Sequence, residues 1–288
     1  MRATNKKVLL TGASGYIGSQ LFERFLQKGM ECLGVDRTSA SNAKMVCFDL
    51  KNKVETYKYF NHFKPDVVFH LATHSALAYQ NPDSKSFTED ARVLDGILGY
   101  LTQQTECRLF YFSTSYVYSG LPTDREVTEE DALKPAHPFG KAKTFFEQLI
   151  LKRHPDSVIF RLFSVFGPGN YLFPNTVHQM VRECQETGKI TVWGAGNRKM
   201  QYVFLQDVLD CCEKGLFLEP GIYNVGGGDY LTIQDTAQKI AKMFNGDVIH
   251  LKDKGEGETL PFGDNLKIQR SGDVVFTSFL EALKAYRP

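Results

Sequence analysis

The stretch Lys7-Val8-Leu9-Leu10-Thr11-Gly12-Ala13-Ser14-Gly15-Tyr16-Ile17-Gly18 constrains the fold of this chain more than any other. An apolar run ends at Thr11. Gly12, Gly15 and Gly18 follow at regular spacing, and an amphipathic segment begins at once. A strand that turns sharply into a helix has this form. One glycine permits the tight turn, one lets a pyrophosphate approach bare backbone, and one lets the helix lie close to the strand. The helix N-terminus then presents N–H groups and a partial positive charge to the phosphates. Glycines alone would fit a plain structural turn. With a strand before, a helix after and an acid downstream, they predict a dinucleotide-binding turn.

That acid is Asp36, at the end of a strand read over residues 31–35. A carboxylate there, about 20 residues past the glycines, suits the adenosine ribose hydroxyls and repels a 2′-phosphate, which favours NAD over NADP. Arg37 argues the other way, because its guanidinium could hold a 2′-phosphate. Helical periodicity over 16–29, with Ile17, Leu21, Phe25 and Leu26 on one face, stops at Gly29. Further strands are read at 44–48, 67–70 and 108–113, and helices at 53–62 and 85–104. This alternation predicts right-handed parallel crossovers and an α/β, Rossmann-like doubly wound parallel sheet.

The second half reads differently, with helices at 174–187, 206–218 and 232–244 and a Gly-, Lys- and acid-rich loop at 253–270. The expected organisation is an NAD-binding domain over 1–165 and a smaller substrate-binding lobe over 166–288, with some elements returning to the main sheet. The site is expected in the cleft between them, at the carboxyl ends of the strands. A net charge of +1 over 288 residues gives no electrostatic reason to expect nucleic acid or a membrane surface. No apolar segment has bilayer length and no signal peptide is read, so a cytoplasmic location is expected. The six cysteines (Cys32, Cys47, Cys107, Cys184, Cys211 and Cys212) form no Cys-x-x-Cys pair, and no His cluster has ligand spacing; reduced cysteines and no metal are expected.

Several motifs follow the glycine turn in order: Asp36; Asp49-Leu50; His70-Leu71-Ala72; Ser113-Thr114-Ser115-Tyr116-Val117-Tyr118; Lys143; Arg161 through Gly167-Pro168; Asp207; and Asn224-Val225-Gly226. On these the chain resembles, over nearly its whole length, the extended short-chain dehydrogenase/reductases, in the NAD-dependent epimerase/dehydratase branch that acts on nucleotide sugars. The resemblance implies a cofactor set. Gly12, Ser14, Gly15, Tyr16, Ile17 and Gly18 would surround the pyrophosphate, with Asp36 and Arg37 at the adenosine ribose and Asp49 and Leu50 beside the adenine. Leu71, Ala72, Thr73, Ser113 and Lys143 would lie on the nicotinamide-ribose side. Thr114 would hydrogen-bond the sugar oxygen that becomes a carbonyl. His74, Ser115, Ser164, Arg198 and Met200 would face substrate. A homodimer through helices near 85–104 and 139–153 is implied as well.

The chain departs from this pattern at the chemistry. The family places a tyrosine four residues before the lysine, and here that residue is Phe139. A phenol has a pKa of about 10 that a nearby cation can lower for base work, and a phenyl ring has no proton to exchange. Three accounts stand open: a substitution introduced to trap a complex, a native residue with Tyr116 as substitute acid–base, or a catalytically silent NAD- and nucleotide-sugar-binding or regulatory protein. The Asp-Glu pair that eliminates water in the family's dehydratases is replaced by Ser115-Tyr116, which favours an epimerase or 4-keto reductase. Met200 stands where the family often places a pyrophosphate-binding Arg, with Arg198 and Lys199 just upstream. Ser164 stands in place of an Asn.

Overall fold

The computed structural model describes residues 6–37 and 42–287. In chain order the elements are β1 (Lys7–Thr11), α1 (Tyr16–Gln27), β2 (Glu31–Asp36), β3 (Met45–Cys47), α2 (Lys53–Phe63), β4 (Val67–His70), α3 (Ala76–Gln80), α4 (Ser86–Leu101), β5 (Arg108–Thr114), β6 (Glu126–Val127), α5 (Pro138–Arg153), β7 (Val158–Leu162), β8 (Ser164–Phe166), α6 (Thr176–Thr187), β9 (Lys189–Trp193), β10 (Lys199–Phe204), α7 (Leu205–Gly215), β11 (Gly221–Val225), β12 (Tyr230–Thr232), α8 (Ile233–Phe244), β13 (Asp247–Leu251), β14 (Phe262–Gly263), α9 (Leu266–Gly272) and α10 (Phe279–Leu283).

The main sheet runs β3-β2-β1-β4-β5-β7-β11, and every pairing in it is parallel. Its strands are apolar at nearly every position because both faces are covered. Alternate residues feed two separate cores. Val8, Leu10, Phe69, Phe110 and Phe160 pack with Leu21, Phe22 and Phe25 of α1 and Val208, Cys211 and Cys212 of α7. Leu9, Val68, Leu109, Tyr111 and Ile159 pack on the other face with Phe60 of α2, Leu94, Ile97 and Leu98 of α4, and Phe146 and Ile150 of α5. This is the doubly wound α/β sheet that the alternation of elements predicts. The order switches between β1 and β4, so the crevice opens at their carboxyl ends.

A third core joins α6, β9, β10 and α8 through Val177, Met180, Ile190, Met200, Tyr202 and Ile240. The small sheets β12-β10-β8, β13-β9 and β14-β6 lie outside the main one, whereas β11 returns to pair with β7.

Element ends shift by a few residues. The first helix stops at Gln27, with Gly29 at φ +75°. The helix read over 85–104 ends at Leu101, and a short α3 precedes it. The helix read over 206–218 ends at Gly215. Residues 253–270 are not all loop: Phe262–Gly263 pairs with Glu126–Val127, and α9 begins at Leu266. A two-residue strand leaves no periodicity, and its partner lies far away in sequence. All six cysteines are unpaired, and five of them are buried.

Candidate active site

The glycine turn has the form its sequence predicts, for stated steric reasons. Gly12 sits at φ +70°, and a Cβ there would lie 2.8 Å from the backbone nitrogen of Ala72 at the end of β4. A Cβ on Gly18 would come within 2.1 Å of the Gly12 carbonyl oxygen, so α1 could not lie so close to β1. The N-cap of α1 is Gly15, which supplies no side-chain acceptor, and the first turn holds no acid. Its N–H groups are therefore offered to a ligand rather than capped. Asp36 reaches this turn from β2: its carboxylate accepts from Ser14 N at 3.1 Å and Arg37 N at 2.7 Å. Ser14, Asp36 and the glycines thus form one cradle with the shape and donors that a dinucleotide pyrophosphate and ribose require.

Across the switch point, β4 and β5 bring up the second half of the site. Thr114 ends β5, and its Oγ1 accepts from Tyr116 N at 3.3 Å, which caps a 3-10 turn over Ser115–Tyr118. This is the capping role open to any strand-end threonine, and it uses a lone pair while leaving the hydroxyl proton to donate. Lys143 projects from α5 and is 1% exposed. Its Nζ donates to Phe112 O at 2.8 Å, Tyr111 Oη at 3.1 Å and Thr73 Oγ1 at 3.3 Å. Burial pulls its pKa down to about 8, against the opposing pull of Asp90 and Glu147. Lys143 is thus a fixed, buried cation and not a solvated helix-face lysine.

Phe139 lies one turn before Lys143, with its ring centre 5.5 Å from the lysine Nζ. Its other ring neighbours are Tyr79 at 5.3 Å and Tyr116 at 6.2 Å. Tyr116 is half-buried, with its ring centre 4.4 Å from that of His137 and the two planes tilted by 36°. His137 caps α5 by accepting from Phe139 N through Nδ1. Below the strand ends, Arg161 and Glu147 form a buried ion pair at 2.7 Å; both side chains are nearly inaccessible. Ser113 donates to the same carboxylate.

A cavity of about 320 Å³ opens beside Thr114. Thr114, Ser115 and Tyr116 line one end, and Ser164, Asn175 and Thr176 line another. Arg198 and Met200 project from the β10 side, since residues two apart on an extended segment share a face. Among the described residues, Arg198 is the only charged one in the lining, and its Nε is buried without a hydrogen-bond partner. Its backbone is fixed by the Glu256 carboxylate, which accepts from Ala195, Gly196 and Arg198 N–H groups.

Residues 8–226 match the model of the NAD dependent epimerase/dehydratase family. The chain belongs to that family. Among curated relatives it is 27% identical over 223 residues to the spore coat polysaccharide biosynthesis protein SpsK of Bacillus subtilis, covering 76% of this chain and 72% of the relative. It is 26% identical to methionine adenosyltransferase 2 subunit beta of Rattus norvegicus, covering 86% and 75%. Among solved structures, UDP-glucuronic acid 4-epimerase from Bacillus cereus, in complex with UDP-glucuronic acid and NAD, superposes with a TM-score of 0.84 at 22% identity, covering 97% of both chains.

Within this epimerase/dehydratase fold, most of the residues singled out from sequence converge at the switch point. Leu71, Ala72 and Thr73 follow β4 directly beneath the glycine turn, and Ala72 N donates to Thr11 Oγ1 at 3.3 Å. Asp49 and Leu50 follow β3, with Leu50 buried and Asp49 turned toward Lys51. One residue goes elsewhere. His74 is drawn out of the cavity, because its Nδ1 lies 2.7 Å from Asp90, which also accepts from His74 N and Tyr79 Oη. Ser113 shares a face of β5 with Tyr111, the face that Lys143 reaches from α5, and donates to Glu147 of that helix. Gln201 holds Gly227 and Gly263 through its amide and is buried. Asn175, Thr176 and Gln179 line the cavity and went unread in the sequence. The signal for Asn175 was its N-cap position before α6.

Proposed function

We propose that this protein binds NAD at the glycine turn and a nucleotide sugar in the adjoining cavity, in the manner of an NAD-dependent epimerase or 4-keto reductase. The observation that carries this reading is the convergence of the Gly12–Gly18 cradle, the buried Lys143 cation and the Thr114 hydroxyl at one switch point, with the cavity opening beside them. NAD would accept or return a hydride when bound. Gly12, Ser14, Gly15, Tyr16, Ile17 and Gly18 hold its pyrophosphate, with Asp36 at the adenosine ribose and Lys143 at the nicotinamide ribose. Asp36 favours NAD over NADP.

Thr114 donates to the sugar oxygen and stabilises charge developing on it. Ser115, Ser164, Arg198 and Met200 contact the substrate, and Arg198 supplies the positive charge for its phosphates. The acid–base group is the weak point, because Phe139 has no oxygen. Tyr116 lines the cavity and is the one phenol there among the described residues, which makes it the substitute in this reading. Phe139 also favours a second reading, a silent binder that keeps both sites and performs no turnover.

A homodimer fits α4 and α5, where Phe87 and Phe145 are 43% and 47% exposed and meet edge to face with ring centres 5.4 Å apart. Calorimetric titration of UDP-sugars into the NAD-saturated protein tests the binding reading. A panel of UDP-hexoses and UDP-glucuronate of which none binds would end it.

A further inference from the structure

The hydroxyl of Tyr16 has a role that the glycine turn does not need. Tyr16 is the first residue of α1, so its backbone stands at the cofactor cradle while its side chain crosses to the second lobe. Its hydroxyl donates to Gly167 O at 2.7 Å and lies 3.2 Å from His178 Nε2. His178 is 2% exposed. Its Nδ1 accepts from Asn175 N at 3.2 Å, so in the neutral ring the proton sits on Nε2, which donates to the same Gly167 carbonyl at 3.1 Å. Asn175 completes the chain: its amide donates to Val165 O at 2.6 Å and Ser164 Oγ at 3.3 Å. Both Asn175 and Ser164 line the substrate cavity. A continuous run of hydrogen bonds therefore joins the cofactor turn to the cavity wall.

The segment this run holds has little else to fix it. No backbone-to-backbone hydrogen bond with a described residue holds 167–174. Its fixtures are side chains: Tyr16 and His178 on Gly167 O, Gln20 on Pro168 O, Tyr286 on Gly167 N, Gln179 on Pro174 O, and the Tyr171 ring stacked on His178 at 3.9 Å. Gly167 and Gly169 take φ values of +146° and +152°, and a Cβ on Gly169 would meet Gln20 at 2.5 Å and Tyr16 at 3.0 Å. The segment is seated directly on the first two turns of α1. A ligand that steadies α1 must steady this seat as well.

We propose that Tyr16 and His178 are positioning residues that transmit dinucleotide occupancy at the glycine turn to the wall of the substrate cavity, so that bound NAD orders residues 167–178. The proposal rests on the NAD-binding reading above. It predicts that the two ligands bind with positive coupling, and coupling between sites of this kind is about fivefold or more.

Amide hydrogen exchange read by mass spectrometry tests it without knowledge of the substrate. NAD is added at concentrations that saturate each variant. In the wild type, exchange should slow both at 12–18 and at 167–178. Tyr16→Phe keeps the ring and the backbone N–H that residue 16 offers the pyrophosphate, and removes only the hydroxyl; NAD should still slow exchange at 12–18 and no longer at 167–178. His178→Asn, which retains an acceptor for Asn175 N but whose amide is too short to reach Gly167 O, should behave alike. UDP affinity measured with and without NAD should show coupling in the wild type and none in either variant. Slowing confined to 12–18 in the wild type overturns the proposal, as does slowing at 167–178 that survives Tyr16→Phe. Absence of slowing at both segments would instead remove the NAD-binding reading, and this proposal with it.

Discussion

Phe139→Tyr restores one oxygen at the point where the chemistry breaks, and its effect can be worked from the geometry. Lys143 Nζ lies 5.5 Å from the centre of the Phe139 ring. At an effective dielectric of about 20, a unit charge at that distance stabilises a phenolate by about 3 kcal/mol. This is about two pKa units, which brings a tyrosine from about 10 to about 8. A positioned base in that range contributes roughly 10²–10⁴-fold to rate. The assay is kcat/KM over a panel of nucleotide sugars with saturating NAD, followed by reduced-cofactor absorbance and by mass spectrometry of the sugar. The gain should grow as pH rises toward about 8, because the ionised phenol is the base in the oxidative direction. It should vanish when Lys143→Met is added. A Phe139→Tyr protein that binds NAD and a nucleotide sugar, melts like the parent and turns over no faster would refute the reasoning and favour the silent binder.

Further outcomes follow from buried groups. Glu147→Gln leaves the Arg161 guanidinium buried without its counter-charge and should cost roughly 3–5 kcal/mol in urea unfolding; a loss within error of zero would mean that Arg161 finds another partner. Burial holds His178 at about 4, below its ordinary 6.5. The unfolded chain therefore takes up the proton first, so its contribution to stability is complete above pH 6.5 and declines as pH falls toward 4, by roughly 3 kcal/mol. Urea titrations of wild type and His178→Asn at both ends of that range should converge at the acid end, and parallel curves would contradict the assignment. Phe145→Glu should convert a dimer to a monomer in analytical ultracentrifugation, since it places a charge on the apolar face shared with Phe87; an unchanged mass would move the interface elsewhere.

What could be read from the sequence was what the backbone demands locally. Gly12 and Gly18 are legible because no side chain fits where they stand, and Thr114 and Lys143 because a strand end and a helix start fix their reach. Residues whose direction is set by distant partners were not legible. His74 turns to Asp90. Arg198 was legible as cavity-facing, but the Glu256 carboxylate that fixes its backbone lies nearly sixty residues later, and the pairing of Phe262 with Glu126 spans half the chain. The second use of Tyr16 was hidden for the same reason, since its hydroxyl meets Gly167 and His178, 151 and 162 residues further along the chain. Local pattern specifies the glycine cradle, and long-range contacts specify the cavity.

The central claim is that the Gly12–Gly18 cradle and Asp36 hold NAD. Isothermal titration of NAD and NADP into the wild-type protein and into Gly18→Ala tests it directly, because a Cβ at Gly18 would strike the Gly12 carbonyl. One NAD per chain should bind the wild type, NADP should bind more weakly, and Gly18→Ala should lose NAD binding with its fold retained by circular dichroism. A wild-type protein that takes up neither dinucleotide, or a Gly18→Ala protein that binds NAD as tightly as the parent, would contradict it.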